Sequence, residues 1–386
     1  MFKKISILAV SIITVMAGAA ISPALGEIQA GFPDASETLV KLINTFHALW
    51  VIPFTFVSSW LTTKYPKKNI LLSGLVLYVL GGFGGAFAPN IYFLLATRAL
   101  LGISVGLLMP ISTSIVSDFY DGEEKIDMMG KVSASNQIGG ILSMSAAGLL
   151  AATNWRYAFS VYLIAIFIFI IVARFLPKLP VETKSNEKTA GEKTFNIKIW
   201  GLALAMFTVF VFMYSIPTNM ALYLTEHNIA DTEAFGFIIP LSTVGGFFGG
   251  ILLRSFKHLL KDYLVPIQVL FMGIGFSLIA FTRMATTVSI GILIMGLGVG
   301  TLIPTIYNAV SNVSDQKNMM RSMAIVQTFL YLGQFMSPIL LDNIARLFGE
   351  VSNALIYSIS AYAALIGAIL LFILVLARKK KNSTIH

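Results

Sequence analysis

The chain has 386 residues, of which 56% are hydrophobic and 12% charged, with no cysteine and a mean hydropathy of +0.82. So much apolar surface with so few charges excludes an ordinary soluble domain, and long apolar runs recur along the chain as in a membrane protein. The net charge of +9 is scattered over short loops between apolar runs, which points to membrane topology rather than a nucleic-acid face. Without cysteine there are no disulfides, thiolate catalysis or Cys-based metal sites.

The N-terminus, MFKKISILAVSIITVMAGAAISPALG, has the basic start, apolar stretch and small residues of a cleaved signal peptide. Its apolar stretch, Ile5 to Leu25, outruns the roughly 7–15 residues of a signal h-region and is long enough to cross a bilayer. A retained first helix is expected. Apolar windows then place spans near 5–26, 39–61, 70–90, 91–116, 133–152 and 157–176, and again near 198–224, 235–253, 263–282, 286–310, 322–345 and 354–377. Between the sets, PKLPVETKSNEKTAGEKTFNIK is the only long polar segment. It reads as a linker over 177–197 joining an N-terminal six-helix bundle, 1–176, to a C-terminal one, 198–377, with a basic tail at 378–386. The fold class expected is all-α integral membrane, with twelve transmembrane helices in two six-helix halves.

With the N-terminus inside, all but five of the 27 basic residues fall on the cytoplasmic side. Lys41, Arg156, Arg283 and Arg346 face outward, and Arg98 lies within a span. That bias predicts an even number of spans and both termini in the cytoplasm.

An offset of 194 residues lays LLGISVGLLMPISTSIVSD (100–118) over IMGLGVGTLIPTIYNAVSN (294–312). Gly102 then meets Gly296, Gly106 meets Gly300, Pro110 meets Pro304, and Pro23 meets Pro217. An offset of six spans implies repeats of one orientation, related by an axis along the membrane normal, with a cavity between the halves and rocking alternating access. The serine of Gly102-x-Ser104-x-Gly106 mimics a nucleophile elbow, but it sits in mid-helix without a His and acid at hand, so packing is expected instead.

Ionisable and polar groups inside spans are functional candidates. Arg98 lies about two turns from the outer end of its span. It either snorkels to the outer headgroups or faces the cavity to pair with a carboxylate or a water chain. Glu27 and Asp342 share its depth, and His47 is at a similar level. Gln327, Tyr331, Gln334, Pro338 and Asp342 fall on one face of span 11. Tyr214 and Asn219 flank Pro217, while Tyr307 and Asn308 follow Pro304; with Gln137 and His47 these are candidate cavity residues. A wall of Tyr, Gln, Asn, Met and Phe suits amphipathic or lipophilic cargo. Neither H-E-x-x-H nor G-x-x-x-x-G-K-[ST] occurs, which argues against a metalloprotease or a self-contained ATP-driven pump.

Leu94, Arg98, Gly102 and Gly106 in span 4 match a motif of the major facilitator superfamily, and the chain resembles that family across essentially its whole length. The bacterial twelve-span drug/proton antiporter and sugar-efflux group is the nearest flavour. The loop between spans 2 and 3, SWLTTKYPKKNIL, keeps Lys64, Lys67 and Lys68 of a second motif but has Ser59, Thr63 and Pro66 where Gly, Asp and Gly are usual. The span-5 antiporter motif keeps Gly140 and Gly148 but has Met144-Ser145 in place of Gly-Pro. The resemblance implies that Arg98 serves proton coupling. No acid lies in the middle of span 1 or span 4, where drug antiporters often place their carrier, and Glu27 or Asp342 is the candidate carrier by depth alone. Gating and packing are expected from Lys64, Lys67, Lys68, Gly102, Gly106, Pro110, Gly140, Gly148, Pro217, Gly296, Gly300 and Pro304.

The function expected is a secondary active transporter exporting small organic compounds against protons. The alternative is a sugar or metabolite permease of the same fold. It is expected to be a monomer in the bacterial inner membrane, not an enzyme, with no cofactor or metal, no nucleic-acid partner, and the proton gradient as its energy source.

Overall fold

Side-chain caps set where several helices begin. Asn90 Oδ1 accepts from the Phe93 N–H at 2.9 Å, Asn154 Oδ1 from Arg156 at 2.9 Å, and Asn196 Oδ1 from Lys198 at 3.0 Å. Each satisfies a donor that a first helical turn leaves orphaned. The computed structural model describes residues 2–177, 196–315, 318–349 and 352–383, and the described residues form helices and turns without strands. Residues 178–195 of the expected linker, Lys317 and residues 384–386 of the tail lie outside them.

The helices are α1 (Phe2–Ala19, continued by Ser22–Ala24 and Leu25–Gly31), α2 (Glu37–Thr62), α3 (Lys67–Phe83), α4 (Ile91–Phe119), α5 (Gly122–Ala151) and α6 (Trp155–Ala158, running through Phe159–Leu163 into Ile164–Phe175). After the linker come α7 (Ile197–Met213, then Ser215–Glu226), α8 (Thr232–Ile238, then Leu241–Leu260), α9 (Leu264–Phe281), α10 (Ala285–Val313), α11 (Met319–Leu347) and α12 (Asn353–Ser383). Ten helical stretches among the described residues are long and apolar enough to cross a membrane. One of them, Thr232–Phe281, spans both α8 and α9, which are divided only by a turn at Lys261–Tyr263. Helix α5 is not among the ten: its first turns carry Glu123, Glu124, Lys125 and Asp127, and the rest is rich in Ser, Gly and Ala.

Several helices outrun their apolar windows. Helix α5 begins well before residue 133, and α12 continues through the basic ARKKK run. Backbone hydrogen bonds continue past the point where side chains turn polar, so hydropathy marks the membrane-compatible part of a helix and not its end. Helices α1 and α7 are interrupted next to Pro23 and Pro217, whereas Pro110 and Pro304 stay within continuous helices. The two proline pairs of the repeat therefore differ locally in what they do.

Packing follows the repeat. Helix α2 packs on α4 as α8 does on α10, α3 on α4 as α9 on α10, α1 on α5 as α7 on α11, and α3 on α6 as α9 on α12. Across the two sets, α2 meets α11 and α5 meets α8, contacts that a shift of six helices interchanges. The glycines shared by the repeat make the close approaches possible. A Cβ on Gly102 would collide with the carbonyl oxygen of His47, and one on Gly296 with that of Ser242. Ser104, between Gly102 and Gly106, donates to the Gly74 carbonyl at 2.8 Å, a helix–helix contact and not a nucleophile's geometry.

Candidate functional site

Between α1, α2, α4 and α5 on one side and α7, α8, α10 and α11 on the other lies a cavity of about 730 Å³. Among the expected wall residues, His47, Gln137, Tyr214, Tyr331 and Gln334 line it, and Pro217, Gly296, Gly300 and Pro304 join them. Four others lie off the wall. Asn219 is fully buried and donates to Ser215 O at 3.1 Å and Thr218 Oγ1 at 2.9 Å, within its own helix. Asn308 is exposed, Tyr307 packs against the apolar core, and Gln327 approaches the Met109 sulfur at 4.0 Å. The polar face of α11 is longer than the cavity, so only its middle, Tyr331 and Gln334, reaches the space. Tyr331 also donates to Met109 Sδ at 2.8 Å, and Gln334 Nε2 stands 3.3 Å from His47 Nε2.

Arg98 does not face the cavity, and its partners are not carboxylates. It is 1% exposed. One terminal nitrogen donates to the Gly81 and Gly82 carbonyls, each at 2.8 Å, and the other to the Tyr162 hydroxyl at 3.1 Å. The guanidinium lies 5.1 Å from the ring centroids of both Phe159 and Tyr162. Gly81 and Gly82 are in the last turn of α3, where carbonyl oxygens lack N–H donors from the following turn and the helix end carries partial negative charge. The arginine thus caps a helix C-terminus from the side, with two aromatic faces completing its surroundings. Arg156 does likewise a little farther out, donating to Ala86 O at 2.7 Å and Ala88 O at 3.0 Å.

The two carboxylates proposed at the depth of Arg98 have other partners. Glu27 accepts from Thr232 Oγ1 at 2.6 Å, joining α1 to the start of α8. Asp342 on α11 is 1% exposed and pairs with Lys41 on α2, 0% exposed, at 2.9 Å. It also accepts from Thr38 Oγ1 at 2.6 Å. Lys41 reaches Glu37 at 3.0 Å, and Asn353 donates to Glu37 at 2.8 Å and to Glu226 at 3.2 Å. The resulting chain of ion pairs and hydrogen bonds ties α2 to α7, α11 and α12. Sequence reading assigned Lys41 to the outer surface as a topology residue; the structure instead seals it between helices. The Glu37–Lys41 spacing of four was legible as a helical ion pair, but nothing local pointed to Asp342.

The cavity has one closed end and one open one. Toward the loops opposite the chain termini, Ser145 donates to Gly236 O at 2.7 Å, Gly148 lies against Gly236, and Asn44 donates to Ser22 Oγ at 2.7 Å and Pro217 O at 2.8 Å. The Lys41–Asp342 pair lies at that same end. Toward the termini, the lining residues Gly130, Ser133 and Gly250 are exposed, and a Cβ on Gly130 or Gly250 would meet nothing within 4 Å. Gly140 packs on Val15, with a Cβ placed 3.0 Å from its side chain.

The basic residues of the loop between α2 and α3 have separate duties. Lys64 lies over the Trp60 ring at 4.0 Å. Lys67, 3% exposed, pairs with Asp118 at the end of α4 at 2.7 Å. Lys68 donates to the Ala173 and Leu176 carbonyls at 2.7 and 2.6 Å, a cation at the C-terminus of α6. Thr63, where an acid is usual, turns its hydroxyl to the Trp60 carbonyl of its own helix at 2.8 Å. No cluster of His, Cys, Asp and Glu able to hold a metal occurs among the described residues.

Comparison with known proteins agrees with this architecture. A multi-drug resistance efflux pump, PmrA, of Streptococcus pneumoniae is 26% identical over 355 residues, covering 88% of this chain and 86% of that protein. A PmrA homolog of Lactococcus lactis is 24% identical over 327 residues, covering 81% and 77%. The hexuronate transporter of Bacillus subtilis is 25% identical over 309 residues, with 73% of each chain covered. Among solved structures, the nucleoside transporter NupG superposes with a TM-score of 0.78 at 9% identity, covering 96% of this chain and 98% of that one. The family model of the Major Facilitator Superfamily matches residues 5–338, and the chain therefore belongs to that superfamily of multi-pass membrane transporters of small molecules.

Proposed function

We propose that the protein is a secondary active transporter that exports small amphipathic or lipophilic organic compounds by proton antiport with alternating access. The carrying observation is a central cavity between two similarly packed helix sets, closed at one end by the buried Lys41–Asp342 pair and open at the other. Counting α5 as a crossing, and α8 and α9 separately, makes twelve spans in two six-helix halves, 1–176 and 198–377. The even count puts both termini on one side, and the excess of Lys and Arg makes that side the cytoplasm of a bacterial inner membrane. The open end then faces inward, as an exporter awaiting cargo requires. The efflux-pump names of the relatives support drug-like cargo.

Asp342 is the proposed proton carrier, because protonation would remove half of the pair that holds the outer end shut, while Lys41 would keep its charge. Arg98 stabilises the first half around α3 and acts on coupling through that scaffold. Glu27 belongs to the same closing surface through Thr232. The protein works as a monomer with the proton gradient as its only energy source and without a cofactor.

The test is transport in everted membrane vesicles with an imposed pH gradient. Cargo uptake into the vesicles should rise with an inside-acid gradient and collapse when a protonophore dissipates it. Rates indifferent to the gradient would overturn antiport. A sugar or metabolite permease is the second reading, favoured by the hexuronate transporter among the relatives. Accumulation of labelled sugars altered by deletion, with resistance to every toxic compound unchanged, would select it.

A further inference from the structure

Resting on the transporter reading, we infer that the cargo is electrically neutral: the cavity binds an uncharged, largely apolar molecule with a few hydrogen-bonding groups, and discriminates against organic cations and anions of the same shape. Among the described residues, none of those lining the wall is Asp, Glu, Lys or Arg. The carboxylates nearest in depth are already engaged. Asp342 is held by Lys41 and Thr38, and Glu27 by Thr232. A cation entering the cavity would leave water without meeting a counter-charge.

The positive charges are equally out of reach. Arg98 lies behind the wall with the Gly81 and Gly82 carbonyls and Tyr162 occupying its terminal nitrogens. It does not line the cavity and offers an anion there no contact. Lys41 is sealed by its two carboxylates.

What the wall does offer is neutral. Tyr214 and Gln137 line the space, the one with a hydroxyl and the other with an amide. The Gln334 amide adjoins His47, whose Nδ1 is buried without a partner among the described residues. Met144, Met213 and Phe210 supply the apolar, adaptable remainder. A neutral cargo has an electrical consequence: exchanging one such molecule for one proton moves net charge across the membrane, whereas exchange of a monovalent cation for a proton does not.

The experiment uses three molecules that share one skeleton and differ in charge: triphenylmethanol, methyltriphenylphosphonium and triphenylacetate. Equilibrium binding of each radiolabelled compound to the purified full-length protein is measured by scintillation proximity. Triphenylmethanol should bind roughly tenfold or more tightly than either ion, which is a difference of about 1.4 kcal/mol or more. The variant Gln137→Glu, which places a carboxylate on the wall, should raise phosphonium affinity by roughly tenfold. Phosphonium or acetate binding as tight as the alcohol in the wild type would overturn the inference and leave the transporter reading in place. So would binding of none of the three. A wild type that binds the alcohol preferentially, in cells whose resistance to every toxic compound is unchanged by deletion, would uphold neutrality and sink the exporter reading instead.

Discussion

Lys41 and Asp342, separated by most of the chain, form an ion pair of 2.9 Å in which neither side chain is more than 1% exposed. Removing Lys41 leaves Asp342 charged, buried and without its counter-ion, at a cost of about 3–5 kcal/mol, whereas removing Asp342 leaves Lys41 its second carboxylate, Glu37, at 3.0 Å. The pair joins α2 to α11, so its loss should also loosen the closed end of the cavity.

Lys41→Met should lower thermal stability in detergent markedly and Asp342→Asn less, because Glu37 still faces Lys41, and adding Asp342→Asn to Lys41→Met should recover much of the loss. Additive losses in a double-mutant cycle would mean that the two side chains are energetically independent.

Arg98→Lys should behave nearly as badly as Arg98→Leu. An ammonium cannot reproduce a planar fork that donates to two carbonyls and a hydroxyl while lying between two rings. Tyr162→Phe removes one of those bonds and should cost about 1–3 kcal/mol. Denaturation midpoints of the three variants provide the check; wild-type stability in Arg98→Lys would contradict the capping geometry.

Gly102→Ala and Gly296→Ala should both destabilise, by about 1–3 kcal/mol or more, because the added methyl meets a backbone carbonyl of the neighbouring helix. Gly130→Ala and Gly250→Ala, where the methyl enters open space, should be tolerated. Yield of folded protein on size-exclusion chromatography separates the two groups. Equal behaviour would show that the close approaches are not maintained in the membrane.

The absence of cysteine makes the chain a natural background for accessibility mapping. Gln137→Cys and Gly250→Cys should react with a membrane-impermeant maleimide added from the side of the termini, and Asn219→Cys, at a fully buried position, should not. Reaction of the first two only from the opposite side would invert the proposed opening of the cavity.

The motifs were legible in uneven measure. The Gly102/Gly296 and Gly106/Gly300 correspondences could be read from a single offset, and the structure uses these glycines at matching helix contacts. The offset also separated Arg98, whose counterpart is Ile292, from the shared scaffold. What Arg98 touches was not legible, because its acceptors are backbone carbonyls, and any residue type can present a carbonyl. For the polar face of α11, periodicity established the shared side but not the depth at which the cavity begins and ends. Gln327 and Gln334 therefore looked equivalent in sequence, although only Gln334 lines the cavity.

The sequence by itself determined the membrane-embedded, helical character of the protein and the repeat within it. These depend on transfer of apolar side chains from water and on local hydrogen bonding, properties carried by runs of about twenty residues. Only the tertiary structure decided the partners of the buried charges. Lys41 could have snorkelled and Asp342 could have met Arg98, since each arrangement satisfies the same local pattern. The choice rests on which helices touch, and α2 lies against α11 while α3 presents its C-terminal carbonyls to Arg98.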